Sequence, residues 1–140
     1  MENKLKILLI DDDSSIRKFL QLSLESSSYE VLSAQDGKEA LLLFNSYRPN
    51  IVILDLNLPD MSGYEILQKI RQDSSIPVIM LTVEDKDEEK IKLLDAGADD
   101  YITKPFSIQE LLARIRVIIR HCVVKSAEPI LSTGDIVIDL

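Results

Sequence analysis

Residues 51–63 read Ile51-Val52-Ile53-Leu54-Asp55-Leu56-Asn57-Leu58-Pro59-Asp60-Met61-Ser62-Gly63, and this stretch decides the fold. Four apolar residues in a row predict a strand over 51–54 that is covered on both faces, because a strand with one face in water alternates apolar with polar. The strand runs into a carboxylate, Asp55, and Pro59 and Gly63 mark a loop before Ile66, Leu67 and Ile70 recur at helical spacing. The unit is strand, acid-tipped loop, helix.

The same unit recurs to either side. Upstream, Lys6 to Ile10 predicts a strand, and Ser14 or Ser15 offers an N-cap before Ile16, Phe19, Leu20 and Leu24. Glu30 to Ala34 predicts a second strand, then a turn at Asp36-Gly37 and a helix through Ala40, Leu41, Leu43 and Phe44 that stops near Pro49. Downstream, Pro77 to Leu81 predicts a fourth strand. The next helix follows a charged stretch, Glu84 to Lys90, and has only a thin apolar stripe, Ile91 and Leu94, so weak anchoring is expected before Gly97 closes it. Tyr101 and Ile102 make a short fifth strand, and Ser107 caps a helix carrying Ile108, Leu111, Leu112, Ile115, Ile118 and Ile119. Parallel strands need crossover helices, so five alternating pairs imply an α/β domain: a doubly wound, five-stranded parallel sheet with five helices on its two faces. The domain is expected over 1–122 and a linker over 123–129. In 130–140 a Thr133-Gly134-Asp135 turn between short apolar runs reads as the start of a further domain, so the chain is expected to be a truncated piece.

The chain's 140 residues, 46% hydrophobic, suffice for one core, and its formal charge of -8 disfavours direct contact with nucleic acid or anionic lipid. One cysteine, Cys122, excludes an internal disulfide and a multi-cysteine metal site, and no apolar run approaches the roughly 20 residues that span a bilayer. A cytoplasmic protein is expected, without membrane contact.

Four strand ends carry polar groups: Asp11, Asp12 and Asp13 after the first strand, Asp55 after the third, Thr82 after the fourth and Lys104 after the fifth. In a parallel sheet these ends meet at the carboxyl edge, where open α/β sheets bind ligands. Two carboxylates about 4 Å apart repel by roughly 4 kcal/mol at an effective dielectric near 20, so gathering several there makes sense with a cation between them. Asp11 and Asp12 are the candidate ligands of Mg²⁺, with Asp55 and the Asn57 backbone carbonyl completing the protein's share of an oxygen shell. Asp55, fixed by a buried strand, is the candidate nucleophile toward a phosphoryl group. Lys104 offers a compact positive charge and Thr82 a hydroxyl donor. The Lys104-Pro105 bond stays open between cis and trans. Singly these residues have plainer explanations as caps, turns or solvated charges; jointly they describe an aspartyl phosphorylation site.

These segments, Ile-Leu-Leu-Ile-Asp-Asp-Asp, Ile-Leu-Asp-Leu-Asn-Leu-Pro-Asp-Met-Ser-Gly, Met-Leu-Thr and Asp-Asp-Tyr-Ile-Thr-Lys-Pro-Phe, resemble the receiver domain of bacterial two-component response regulators over residues 5 to about 121. Residues 130–140 resemble the opening strands of the winged-helix effector in OmpR/PhoB-type members. The resemblance implies that Asp55 accepts phosphate from a phosphohistidine on a sensor histidine kinase, that Asp11, Asp12 and the Asn57 carbonyl hold Mg²⁺, that Asp13 is an accessory acid, and that Thr82 and Lys104 contact the phosphoryl group. It implies a switch through Thr82 and Tyr101, and a signalling domain rather than a metabolic enzyme. The pattern departs at Val83, where the family usually has a smaller residue, which bears on phosphate access.

The resemblance further implies a homodimer through the fourth helix, fifth strand and fifth helix, with Lys90 paired to Glu110, Asp95 to Arg116 and Asp100 to Arg114 across a two-fold axis, and with Ile91 and Leu94 as its apolar contact. DNA contact would belong to the effector alone. His121, at the expected end of the last helix, reads as a cap or surface residue. Three other readings compete. A receiver acting only through protein contacts lacks a use for 130–140. A phosphohydrolase of the haloacid dehalogenase type needs a second acid two residues after its nucleophile, where this chain has Asn57. A nucleotide-binding module would need a glycine-rich phosphate loop, and none is present among four glycines.

Overall fold

The computed structural model describes residues 4–83 and 86–127. Ten elements alternate: β1 (Lys6–Ile10), α1 (Ser14–Ser26), β2 (Glu30–Ala34), α2 (Gly37–Tyr47), β3 (Ile51–Asp55), α3 (Gly63–Asp73), β4 (Val78–Thr82), α4 (Asp87–Asp95), β5 (Asp100–Thr103) and α5 (Ile108–Ala127). The five strands form one parallel sheet in the order β2-β1-β3-β4-β5. The doubly wound architecture read from residues 51–63 is therefore the observed one.

The period of two along each strand divides the core. On β3, Val52 and Leu54 face a cluster with Phe44, Ile66, Leu67, Ile70 and Leu93, under α2, α3 and α4. Ile51 and Ile53 face the opposite cluster with Leu20, Leu24, Leu111, Ile115 and Ile118, under α1 and α5. All five β3 residues are buried, Ile51 to Leu54 as an apolar strand between two helical layers must be and Asp55 with them. Truncating a residue such as Leu54, fully removed from solvent, would cost roughly 2–5 kcal/mol through lost transfer energy and the cavity left behind.

Three local expectations are corrected. The N-cap of α1 is Asp13, whose carboxylate accepts from Ser15 N–H at 2.9 Å and Ile16 N–H at 3.2 Å, in place of Ser14 or Ser15. An ionised acceptor at a positive helix end outcompetes a hydroxyl one residue on. The anchor of α4 is Leu93, fully buried, whereas Ile91 and Leu94 are 57% and 45% exposed. Helix α5 continues through 123–127, which the sequence reading gave to the linker, and exposed His121 is accordingly inside the helix and not at its end. No glycine or proline interrupts the chain between Pro105 and Pro129, so nothing local stops the helix. The rest of the expected linker and the winged-helix start, 128–140, lie outside the described residues, as does Glu84.

Candidate functional site

Sequential strands run β1 to β2 on one side and β1 across to β3 on the other, so the winding reverses between β1 and β3. That is the switch point where helices diverge and leave a crevice at the carboxyl edge. Asp11 follows β1 and Asp55 ends β3, so both acids stand at its rim.

Asp11 is buried. Its Oδ1 accepts from the Asp13 N–H at 3.0 Å, its Oδ2 from the Lys104 ammonium at 3.2 Å, and its backbone carbonyl from Arg17 Nη1 at 2.7 Å. Asp55, 5% exposed, places Oδ1 3.4 Å from Lys104 Nζ. Burial pushes the Asp55 carboxyl above its ordinary range and the neighbouring Asp11 charge pushes the same way; Lys104 and the Asn57 N–H pull back without cancelling them. Burial alone would lower the Lys104 ammonium, but attraction to Asp55 and Asp11, with their hydrogen bonds, outweighs it and leaves the group above its usual value. Lys104 is held for this contact by its own backbone, whose N–H donates to the Thr82 carbonyl at 2.7 Å, and the Lys104-Pro105 bond is cis. Thr82 is buried at the end of β4.

Asp12 is exposed, and one carboxylate oxygen each from Asp11, Asp12 and Asp55 lie within 4.8 Å of one another. Ligands on an octahedral ion with 2.0–2.1 Å bonds stand roughly 3 to 4 Å apart, so this all-oxygen set suits Mg²⁺ after small side-chain adjustments. Asn57 sits in the β3–α3 loop, whose two limbs are bridged at Asn57 and Ser62. Gly63 presses on the root of that loop: a Cβ there would lie 2.5 Å from the Asp55 carbonyl oxygen. Its N–H donates to the Leu56 carbonyl at 2.7 Å.

Tyr101 is half-buried on β5, and Lys90 Nζ stands 5.1 Å from its ring centroid. Arg114 pairs with Asp100 at 3.0 Å inside one chain and approaches Glu110 at 3.6 Å. Asp95 and Arg116 are exposed. Val83 is 61% exposed and lines a cleft of about 440 Å³ with Phe19, Pro105 and Phe106, so it points away from the core beside the acids.

Two residues escaped the sequence reading. Arg71, at the end of α3, donates to Gly97, Ser74 and Ile76 carbonyls and to the Asp99 carboxylate. Asp60 receives the backbone N–H groups of Gly37 at 2.8 Å and Lys38 at 3.0 Å. A basic residue in a last helical turn hints at the first. The second has no local signal.

A parallel sheet wound in this order, with buried acids and a lysine at its switch point, defines a class of doubly wound α/β domains with an acidic crevice at the carboxyl edge. The chain belongs to the response regulator receiver domain family, which it matches over residues 7–116. It is 41% identical over 135 residues to the KDP operon transcriptional regulatory protein KdpE of Escherichia coli, covering 96% of this chain and 60% of that protein. It is 44% identical to the alkaline phosphatase synthesis transcriptional regulatory protein PhoP of Bacillus subtilis, covering 83% and 49%. Among solved structures, a Francisella response regulator receiver domain superposes with a TM-score of 0.81 at 38% identity, over 84% of this chain and 98% of that one. The chain spans about half the length of the curated relatives it matches. No helix among the described residues is long and apolar enough to cross a membrane.

Proposed function

We propose that this chain is the phosphoacceptor of a cytoplasmic two-component system, taking a phosphoryl group onto Asp55 from a phosphohistidine of a sensor histidine kinase. The observation that carries the reading is the convergence of Asp11, Asp12, Asp55 and Lys104 at the switch point of a receiver-family sheet. An Asp55 carboxylate oxygen attacks phosphorus, the P–N bond breaks, and its electron pair leaves on the imidazole nitrogen, which takes a proton from solvent. Mg²⁺, held by Asp11, Asp12, Asp55 and the Asn57 carbonyl, would offset the repulsion between the two anions. Lys104, already between Asp11 and Asp55, exchanges its Asp55 contact for a phosphoryl oxygen. Thr82 donates its hydroxyl to another, and Tyr101 moves toward the space left behind. Water later attacks phosphorus, the acyl phosphate P–O bond breaks, and inorganic phosphate leaves Asp55 a carboxylate again.

The output reading is a homodimer through α4, β5 and α5, in which Lys90, Asp95, Asp100, Glu110, Arg114 and Arg116 set register and exposed Ile91 and Leu94 supply apolar contact. In a full-length regulator that dimer would place a DNA-binding effector. The transcriptional names of the relatives support this output. The pairing of Asp100 with Arg114 inside one chain favours a second reading, in which the receiver signals through other protein contacts.

The test is incubation with Mg²⁺ and acetyl phosphate, reading intact mass and oligomeric state together. One added phosphoryl group, absent in Asp55→Asn, with dimer formation is expected. Equal labelling of Asp55→Asn would overturn the site, and labelling without dimerisation would favour the second output.

A further inference from the structure

The loop that follows Asp55 is held at two places. At its root, Asn57 and Ser62 are bridged and the Gly63 N–H closes on the Leu56 carbonyl at 2.7 Å. At its tip, the two Asp60 oxygens separately accept the N–H groups of Gly37 and Lys38, the first residues of α2. The Met61 side chain lies against Gly37 so closely that a Cβ there would stand 2.7 Å from its sulfur. A carboxylate that caps a helix more than 20 residues away in sequence is a tether between elements, not a local turn device. The Asn57 backbone belongs to the root through its bridge to Ser62, three residues from the Asp60 clamp at the tip.

We infer that Asp60 is a positioning residue for metal binding: by clamping the 55–63 loop to the N-terminus of α2, it holds the Asn57 carbonyl where a cation shared with Asp11, Asp12 and Asp55 needs it. This rests on the metal set proposed above. Asp60 itself is exposed and takes no part in the carboxylate cluster. A ligand supplied by a backbone carbonyl has no side-chain rotamer to adjust, so its position is set by the loop alone.

The experiment is calorimetric titration of the purified chain with MgCl2, beside thermal melts in EDTA, for the native sequence, Asp60→Ala, Asp60→Asn and Asp12→Asn. Removing such a support typically weakens metal affinity by roughly 10-fold. Asp60→Ala is expected to show a loss of that size, Asp60→Asn a smaller one since its amide keeps a single acceptor, and both to melt cooperatively in EDTA. Should Asp60→Ala fail to fold, Asp60→Asn decides. Native-like Mg²⁺ affinity in the Asp60 variants, with only their melting lowered, would make the tether purely structural and overturn the inference. A native chain that binds no Mg²⁺, or binds it equally after Asp12→Asn, would overturn the metal site and this role with it.

Discussion

Arg114 Nη1 stands 3.0 Å from Asp100 Oδ2 within a single chain, and α5 is thereby tied to the start of β5. The same two residues are those that would pair across a two-fold dimer. A charge already engaged at home gains only the difference between two partly solvated pairs when it changes partner, a few tenths of a kcal/mol each. Asp100→Asn is therefore expected to weaken the proposed phosphorylation-driven dimerisation by only about two- to fivefold, two pairs per dimer, as read by sedimentation. An unchanged association constant would confine the pair to its intrachain role.

Gly63 makes a harder prediction. A methyl group there meets backbone atoms, the Asp55 carbonyl oxygen at 2.5 Å and Leu56 Cα at 2.8 Å, neither of which can swing aside like a side chain. Gly63→Ala should cost about 2 kcal/mol in urea denaturation, as overpacking does, and should also slow labelling by acetyl phosphate because the shifted atoms belong to the proposed phosphoacceptor. Full stability with native labelling would show that the loop has slack.

Such contacts explain what the sequence could and could not disclose. The inner strands were legible because burial on both faces leaves mostly apolar residues; β1 was read to the residue, as was the half-exposed edge strand β2, and the others missed mainly their polar ends, Asp55 on β3 and Thr82 on β4, since a polar residue at a strand end reads as loop. The acids and Lys104 were legible together because parallel winding dictates one edge. Ile91 and Leu94 were misassigned as an anchor because spacing shows that two residues share a face without saying which way it turns; Leu93 turned inward instead. Asp60 had no local signal and Arg71 only its place in the last turn of α3, because Asp60 takes backbone N–H groups 22 and 23 residues away and Arg71 the Gly97 carbonyl 26 away, and backbone groups carry no sequence signature.

Arg71 deserves a stability test for that reason. Its guanidinium satisfies the Gly97 carbonyl twice, at 3.0 and 2.7 Å, the Ile76 carbonyl at 2.8 Å and the Asp99 carboxylate at 2.9 Å. It thus fastens the α4–β5 turn, where Gly97 has φ of 110°, to the end of α3. Arg71→Ala should lose roughly 2–3 kcal/mol, the cost of stranding several partly buried acceptors. Arg71→Lys should recover little, because one ammonium cannot span acceptors that a planar fork reaches. Hydrogen exchange should rise first in residues 96–99, and protection equal to native there would refute the fastening role.

The two aspartates of the β3–α3 loop, Asp55 and Asp60, should pull acid stability in opposite directions. Asp60 is held below its ordinary value of 3.8, first by the Gly37 N–H and then by that of Lys38, so its ionised form favours the fold. That contribution is complete above 3.8 and disappears as pH falls through the lower folded value. Asp55 is held above 3.8 by burial and by Asp11, so its ionised form opposes the fold, and protonation on acidification relieves the strain. In metal-free solution at pH 7, Asp55→Asn should therefore melt higher than native, by about 3 °C if the relief is near 1 kcal/mol, with the gap closing as acid protonates the native carboxyl. Asp60→Asn should melt lower at pH 7, with its gap closing only below 3.8. Melting curves from pH 7 to 3 in EDTA distinguish the pair. A lower melting temperature for Asp55→Asn at pH 7 would mean that the Lys104 contact, at 3.4 Å, outweighs the burial of its partner.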